Sequence, residues 1–179
     1  MCFPIKTDDR ALEQDLMRGK GMAISFVMMV LTACGTPAPP DMNVAAKRNA
    51  IGAYVGMWEE AARAATTSDR DLSAIAQYAT DEALETLTRA VGTDRANGIF
   101  TRGMPASDPE VFSVDSALRP SVIGIFDCSD RTSVAKYRID GELAEEIDNG
   151  RRSVTAQVEH QADKTWRVTQ FAVGEVGTC

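Results

Sequence analysis

The spacing of apolar residues changes once along this chain, near Pro105, and this change constrains the fold more than any other sequence feature. Before Pro105, apolar residues recur every three or four positions, as they do on one face of an amphipathic helix. After it, apolar and polar residues alternate, as in strands that have one buried face. Helices followed by antiparallel strands indicate an α+β domain whose sheet packs against the helices.

Three helices are predicted before Pro105. The first carries an apolar stripe formed by Ile51, Tyr54, Val55, Trp58, Ala61, Ala62 and Ala65. The second is predicted from Ser68-Asp69-Arg70-Asp71, which has the spacing of a capping box, with Leu72, Ile75, Ala76 and Tyr78 behind it. The third begins near Thr80 or Asp81 and ends around Gly92, and a further short turn reaches Phe100.

Four to five strands are predicted after Pro105. Their approximate ranges are Val111–Leu118, Ser121–Cys128, Val134–Ile139, Val154–Glu159 and Trp166–Val173. The acidic segment Asp140–Gly150 is predicted to be a solvated connection. The expected fold is therefore three N-terminal helices packed on one curved antiparallel sheet of four to five strands.

The first part of the chain has the pattern of an export signal. Met17-Arg18-Gly19-Lys20 is a short positive head, and the apolar run from Gly21 to Ala33 follows it. A bilayer span needs about 20 residues, so this run has the length of a signal sequence rather than a membrane helix, which is the alternative. Because the residues from Cys2 to Leu16 are polar and unlike a signal head, Met17 is an alternative start.

Leu31-Thr32-Ala33-Cys34 resembles the lipobox of bacterial lipoproteins, and it stands directly after the positive head and apolar run. The resemblance implies cleavage before Cys34 and a diacylglycerol on its sulfur, which would hold the protein at the extracytoplasmic face of the cell membrane. On this interpretation residues 1–33 are the signal, residues 34–43 are a lipidated proline-rich tether, and residues 44–179 are the domain.

Two cysteines follow Cys34, namely Cys128 and Cys179. Exported proteins meet an oxidising compartment, so we expect these two to form a disulfide; two buried free thiols are the alternative. No spacing of cysteine and histidine is typical of a metal site, and no metal or other cofactor is predicted.

The order of helices and strands resembles the nuclear-transport-factor-2-like (cystatin-like) fold, in which helices and a bent sheet form a cone. Ala53–Trp58, Trp166–Thr169 and the Cys128…Cys179 pair also resemble segments of secreted lipoproteins of high-GC Gram-positive bacteria. The resemblance covers Val44 to Cys179. It implies a fold rather than an activity, because this fold hosts isomerases, dehydratases, binding subunits and scaffolds.

The formal net charge of −7 lies entirely in the part after the signal, since acids and bases cancel before Cys34. An acidic domain is repelled by phosphate backbones, so no nucleic-acid partner is expected. We expect a non-enzymatic binding or assembly module of the cell envelope, whose partner is the membrane together with an envelope protein or a small apolar ligand.

A small pocket enzyme, an isomerase or a hydrolyase, is the alternative. Such an enzyme needs a base and a hydrogen-bond donor in its cavity. The candidate residues are Asp127, Tyr54 and Tyr78, followed by Tyr137 and Asp115. Each also has a structural interpretation: Asp127 as a strand-end residue that satisfies backbone N–H groups, and Tyr54 with Trp58 as core. The single histidine, His160, has no serine or cysteine nucleophile beside it.

The lipobox resemblance predicts that Cys34→Ser releases the protein from the membrane fraction or leaves it unprocessed, because no sulfur remains to carry lipid. Fractionation and electrophoretic mobility measure both effects. Cys128→Ser is the matched control and should leave the protein in the membrane fraction. Unchanged partitioning and mobility of Cys34→Ser would refute the lipid anchor.

Overall fold

A computed structural model describes residues 42–66, 72–145 and 150–179, all within the unit Ala38–Cys179. The signal, Cys34, most of the tether and the capping box at residues 68–71 lie outside the described residues. Among the described residues, no helix combines the length and the apolar character that crossing a membrane requires.

The described residues form two α-helices, one 3-10 turn and seven strands. The helices are α1 (Met42–Thr66) and α2 (Asp81–Ala96), and the 3-10 turn Ile75–Gln77 lies between them. The strands are β1 (Ile99–Arg102), β2 (Glu110–Val114), β3 (Val122–Asp130), β4 (Ala135–Arg138), β5 (Leu143–Glu145), β6 (Arg151–His160) and β7 (Trp166–Val173). They make two antiparallel sheets, a three-stranded sheet in the order β1-β4-β5 and a four-stranded sheet in the order β2-β3-β6-β7.

Helix α1 packs against the sheets through small side chains. Its buried residues are Ala46, Ala50, Ala53, Tyr54, Met57, Ala61 and Ala64. The predicted stripe has the right period but is rotated, since Ile51, Val55 and Ala65 are only partly buried against the core. Alanine side chains on the buried face allow the helix backbone to lie close to the strands. Tyr54 and Met57 are the large side chains that α1 buries fully in the core.

The second predicted helix is wrong, because its described part is only the 3-10 turn. The chain after that turn joins the edge of β7: the backbone N–H of Thr80 donates to Val168 O (2.9 Å), and the N–H of Val168 donates to Tyr78 O (2.8 Å). In a helix, the Thr80 N–H and the Tyr78 carbonyl would bond within the helix and could not bond to Val168. Helix α2 then begins at Asp81, as expected, and runs past Gly92 to Ala96.

The four-stranded sheet presents one apolar face to the helices. Every second side chain of β3 points to this inner face, where Ile123, Ile125 and Asp127 are buried. Strand β6 is paired with β3 and adds Val154, Ala156 and Val158 to the same core. Among the described residues, the buried apolar cluster therefore lies between this sheet and the two helices, and Asp127 places a carboxyl group inside it.

The three-stranded sheet was not foreseen, and the prediction of three helices on one curved sheet of four to five strands is therefore wrong. Strand β1 occupies the predicted turn around Phe100, and β5 lies inside the predicted acidic connection. Both strands are short, so neither shows enough alternation to be recognised. Gly103 makes the exit from β1 possible, because its φ is +87° and a Cβ there would lie 2.0 Å from Ser133 O.

Cys128 and Cys179 are at disulfide distance, with their sulfur atoms 2.09 Å apart, as the sequence predicts. The last residues are also hydrogen-bonded to β6: the N–H of Gly177 donates to Arg151 O, and the N–H of Ser153 donates to Thr178 Oγ1, both at 2.8 Å. The disulfide therefore closes a segment that backbone contacts already hold against the four-stranded sheet.

The two cysteines are 51 residues apart, and a loop of this length predicts a stabilisation of about 4 kcal/mol in the chain-entropy account of cross-links. We expect Cys179→Ser to lower the free energy of unfolding by about this amount in non-reducing urea titrations. The double variant Cys128→Ser/Cys179→Ser should lose no more than the single one. A non-reduced peptide map with both thiols free would show that the bond is not formed.

Candidate functional site

Two of the predicted catalytic residues meet in the core. The hydroxyl of Tyr54 on α1 donates a hydrogen bond to Asp127 Oδ2 on β3 at 2.9 Å. The other carboxyl oxygen, Oδ1, accepts the backbone N–H of Asp108 at 2.8 Å. Both side chains have a relative exposure of 0%. The Tyr54–Asp127 pair therefore joins α1, β3 and the segment before β2.

The surroundings keep the Tyr54 hydroxyl protonated. Burial raises the pKa of Tyr54 well above its ordinary value, and the charge of Asp127 and the hydrogen bond to it raise this pKa further. The neighbouring Trp58 lowers this pKa, but its effect is the smallest of the four. Tyr54 is therefore a permanent donor to Asp127 rather than a group that exchanges its proton near neutral pH.

A cavity beside a converging Asp and Tyr is what the enzyme alternative requires. The two residues do converge, but with no exposed surface neither can touch a ligand that enters from solvent. A buried carboxyl group satisfied by a tyrosine hydroxyl and a backbone N–H has a structural role in this conformation. Sequence reasoning named Tyr54 and Asp127 as candidate residues, but it did not show that both side chains are fully buried.

The other candidate residues lie apart from this pair. The Tyr78 ring packs against α1 at Gly56, where a Cβ would lie 2.6 Å from the ring. Asp115 is in a turn, where hydrogen bonds from the Ser121 hydroxyl and N–H lower the pKa of its carboxyl to about 2. The Arg102 guanidinium lies 4.8 Å from the Tyr137 ring centroid, and His160 lies beside Trp166. The structure therefore does not assemble them into one site.

An apolar cleft of about 320 Å³ opens between α1, α2, the three-stranded sheet and the end of β7. Its principal apolar residues are Trp58, Ala62, Leu87, Val91, Val134 and Phe171. The volume lies at the small end of the range of small-molecule pockets, which are also mostly apolar. Because its lining comes from five separate elements, of which β1 was not foreseen, no sequence pattern points to it.

Aromatic contacts connect this apolar cleft to the core. The Trp58 ring packs edge-on against Phe171, with ring centroids 5.2 Å apart, and edge-on against Tyr54 at 6.3 Å. Trp58 is one helical turn beyond Tyr54 on α1. The Tyr54–Asp127 pair therefore also fixes the wall of the cleft, since it holds this turn of α1 in place.

Charged residues border the apolar cleft. Lys136 Nζ lies 3.0 Å from Asp94 Oδ2 on one side. On another side the cleft adjoins a basic recess, which we define by Ser129, Arg131 and Arg152. Burial lowers the pKa of Arg131, and the charge of Arg152 lowers it further. The cleft therefore has an apolar body with charged side chains at its borders.

A second groove, of about 430 Å³, lies along the four-stranded sheet and is lined by polar and apolar residues in similar measure. Gln170 Nε2 donates to Gln157 Oε1 (3.0 Å), and Gln157 Nε2 donates to Glu159 Oε1 (2.7 Å). The exposed Phe112 ring lies over Gly124, where a Cβ would approach it to 2.8 Å. Because the side-chain amides of Gln157 and Gln170 are hydrogen-bonded to each other, they are less available to a ligand. This groove is therefore a weaker candidate binding site than the apolar cleft.

Within the ranges that the structure describes, no three His, Cys, Asp or Glu residues are grouped so that they could hold a metal ion.

The fold is similar to that of a solved structure, the crystal structure of the intermembrane space region of the chloroplast protein ARC6. The two chains are 13% identical, with a TM-score of 0.52, and the similarity covers 72% of this chain and 96% of that chain. No model of a known protein family and no curated protein matches this chain. The comparison shows a shared fold alone, and it does not confirm the nuclear-transport-factor-2-like resemblance.

The raised pKa of Tyr54 predicts a loss of stability in alkali. The unfolded chain loses the Tyr54 hydroxyl proton near pH 10, whereas the folded protein loses it only at higher pH. The stability that the protonated hydroxyl provides is therefore fully present below about pH 10. Above that pH the free energy of unfolding falls by up to about 1.4 kcal/mol per pH unit. Urea titrations at about pH 9 and about pH 11 measure the slope.

Tyr54→Phe should lose about 1–3 kcal/mol at neutral pH, because Asp127 is left with one partner, and should show a shallower alkaline slope than the wild type. Tyr137→Phe, on the three-stranded sheet, is the control and should keep the wild-type slope. Equal slopes for wild type and Tyr54→Phe would show that another group causes the alkaline loss.

Proposed function

We propose that this protein is a lipid-anchored, extracytoplasmic lipoprotein whose domain is a non-enzymatic binding module of the cell envelope. We further propose that it binds a small apolar ligand in the apolar cleft. The observation that carries the proposal is an accessible apolar cleft walled by Trp58 and Phe171, while the candidate acid–base pair beside it is sealed in the core.

The proposed location has three supports. Leu31-Thr32-Ala33-Cys34 follows a positive head and an apolar run, as in lipoprotein precursors. The Cys128–Cys179 pair is at bonding distance, and such pairs persist in oxidising compartments. The structurally similar region of ARC6 is itself an intermembrane-space region, so this fold occurs outside the cytosol in at least one other protein.

The tether would keep the domain close to the membrane. Cys34 precedes the start of α1 at Met42 by eight residues, which reach at most about 28 Å when fully extended. A domain tethered this closely to a bilayer meets molecules that leave or enter the membrane, and these are commonly amphiphilic. The membrane is therefore both the proposed site of attachment and the proposed source of ligand.

The shape of the cleft favours a small ligand over a protein partner. Protein interfaces bury broad surfaces of about 800 Å² on each partner, whereas small molecules occupy concave sites of a few hundred cubic ångströms. An isomerase or hydrolyase that used Asp127 or Tyr54 would have to open the core, whereas binding in the cleft needs no such change.

A neutral apolar dye, N-phenyl-1-naphthylamine, tests the cleft in the mature chain (residues 34–179) carrying Cys34→Ser, which we call the soluble mature chain. We expect one saturable site that Ala62→Leu weakens at least tenfold, because the larger side chain fills the cleft. Fluorescence titration measures both affinities.

Ala96→Leu, on an exposed residue at the end of α2, is the matched control and should bind the dye as the wild type does. Equal dye affinity in the wild type and Ala62→Leu would rule out the apolar cleft as the binding site.

A further inference from the structure

Two exposed apolar side chains lie at the end of the domain where the tether joins it. The side-chain amide of Asn43, at the start of α1, donates a hydrogen bond to Ala117 O in the β2–β3 loop (residues 115–121) at 3.2 Å. The next residue of each segment exposes a large apolar side chain, with a relative exposure of 61% for Val44 and 82% for Leu118. The hydrogen bond therefore brings the two apolar side chains onto neighbouring segments.

Cationic side chains accompany both of these residues. Lys47 and Arg48 follow Val44 by three and four positions, so they lie on the same side of α1, and Arg119 follows Leu118. Arg48 and Arg119 are exposed and Lys47 is half-buried. Among the described residues, none of the three is in an ion pair. We call Val44, Lys47, Arg48, Leu118 and Arg119 the tether-side patch.

The charge of this patch is opposite to that of the chain as a whole, which is −7. In residues 43–48 and 115–121 the one acidic residue is Asp115, whose carboxylate accepts hydrogen bonds from the N–H and the hydroxyl of Ser121. An anionic surface repels an acidic protein body and attracts a cationic end. The charge distribution therefore favours an approach with the tether-side patch first.

Another pair of exposed apolar residues shows why charge matters here. Ile139 and Leu143, on the three-stranded sheet, are also exposed, but they lie in one segment with the exposed acids Asp140 and Glu142. Anionic headgroups would repel this segment, and it does not adjoin the tether. Position and charge therefore both single out the tether-side patch.

We propose that the tether-side patch rests on the membrane surface, with Val44 and Leu118 among the headgroups of anionic phospholipids and with the three cations on their phosphates. This inference rests on the proposed lipid anchor, because a tether of at most about 28 Å keeps this end of the domain near the bilayer. It goes beyond that anchor, since the lipid on Cys34 holds the domain whereas the patch orients it.

A chemically tethered chain tests this contact. The mature chain (residues 34–179) is coupled through the Cys34 thiol to a maleimide lipid in vesicles of phosphatidylglycerol and phosphatidylcholine, while Cys128 and Cys179 are occupied by their disulfide. Leu118→Trp places a fluorophore in the patch. We expect lipid brominated on its acyl chains to quench this added fluorescence, because the side chain lies at the headgroup level.

Ile139→Trp is the matched control, because Ile139 is as exposed as Leu118 but lies outside the patch. Brominated lipid should quench its fluorescence no more than that of the tethered chain without either substitution. Quenching of Leu118→Trp should also be lost in vesicles of phosphatidylcholine alone and in about 1 M salt, where the screening length falls to about 3 Å.

Arginine substitutions in the Leu118→Trp chain test the charge. Arg48→Gln and Arg119→Gln should each lower the ratio of membrane-bound to free patch about fivefold, as expected for one cation near an anionic membrane surface. Quenching over a series of phosphatidylglycerol fractions measures this ratio. Arg138→Gln, on an exposed residue of β4, is the charge-matched control and should leave it unchanged.

The coupling supplies the anchor chemically, so failure of the natural lipid anchor is detected separately, by the fractionation of Cys34→Ser. Equal quenching of Leu118→Trp and Ile139→Trp, or equal quenching in neutral and anionic vesicles, overturns the oriented contact and leaves the anchor standing. A blue-shifted Leu118→Trp emission that brominated lipid does not quench also overturns it, because a second copy of the chain would then cover the patch.

Discussion

The hydrogen bond between Tyr54 and Asp127 is the interaction on which the arrangement of this domain depends. A carboxyl group without exposed surface is tolerated only when partners replace the water it has lost. Tyr54 and the N–H of Asp108 are those partners, and they come from α1 and from the segment before β2. The hydrogen bond favours this rotation of α1, because another rotation would remove the Tyr54 hydroxyl and leave the Asp127 carboxyl with the N–H of Asp108 alone.

The same constraint shapes the cleft. With Tyr54 directed at β3, the next turn of α1 directs Trp58 at Phe171 on β7. The small residues Ala62 and Ala65 then face α2 and the three-stranded sheet without filling the space between them. The sealed pair and the open cleft are thus two results of one helix orientation. This is why we regard the pair as structural and propose the cleft as the binding site.

The success of sequence interpretation followed the length and regularity of each element. Long periodic segments were recognised, among them α1, α2 and β3. The prediction of the second helix was wrong because the backbone of residues 78–80 is hydrogen-bonded to the edge of β7. The local sequence pattern carries no information about a strand that lies so far along the chain. Strand β5 was not predicted because its three residues lie in an acidic stretch and are too few to show alternation. They form a strand because they pair with β4.

The sequence by itself determined which residues share a face. Alternation along β3 turns Asp127 away from Cys128, which made Asp127 a candidate for the inner face, whereas the pairing of Cys128 with Cys179 was expected because an exported chain meets an oxidising compartment. Only the tertiary structure decided what those faces meet. Tyr54 and Asp127 are 73 residues apart, and the cleft joins elements from across the chain. The periodicity of apolar residues predicts which face of an element is buried. It does not predict which other element covers that face, because this depends on the packing of all the elements together.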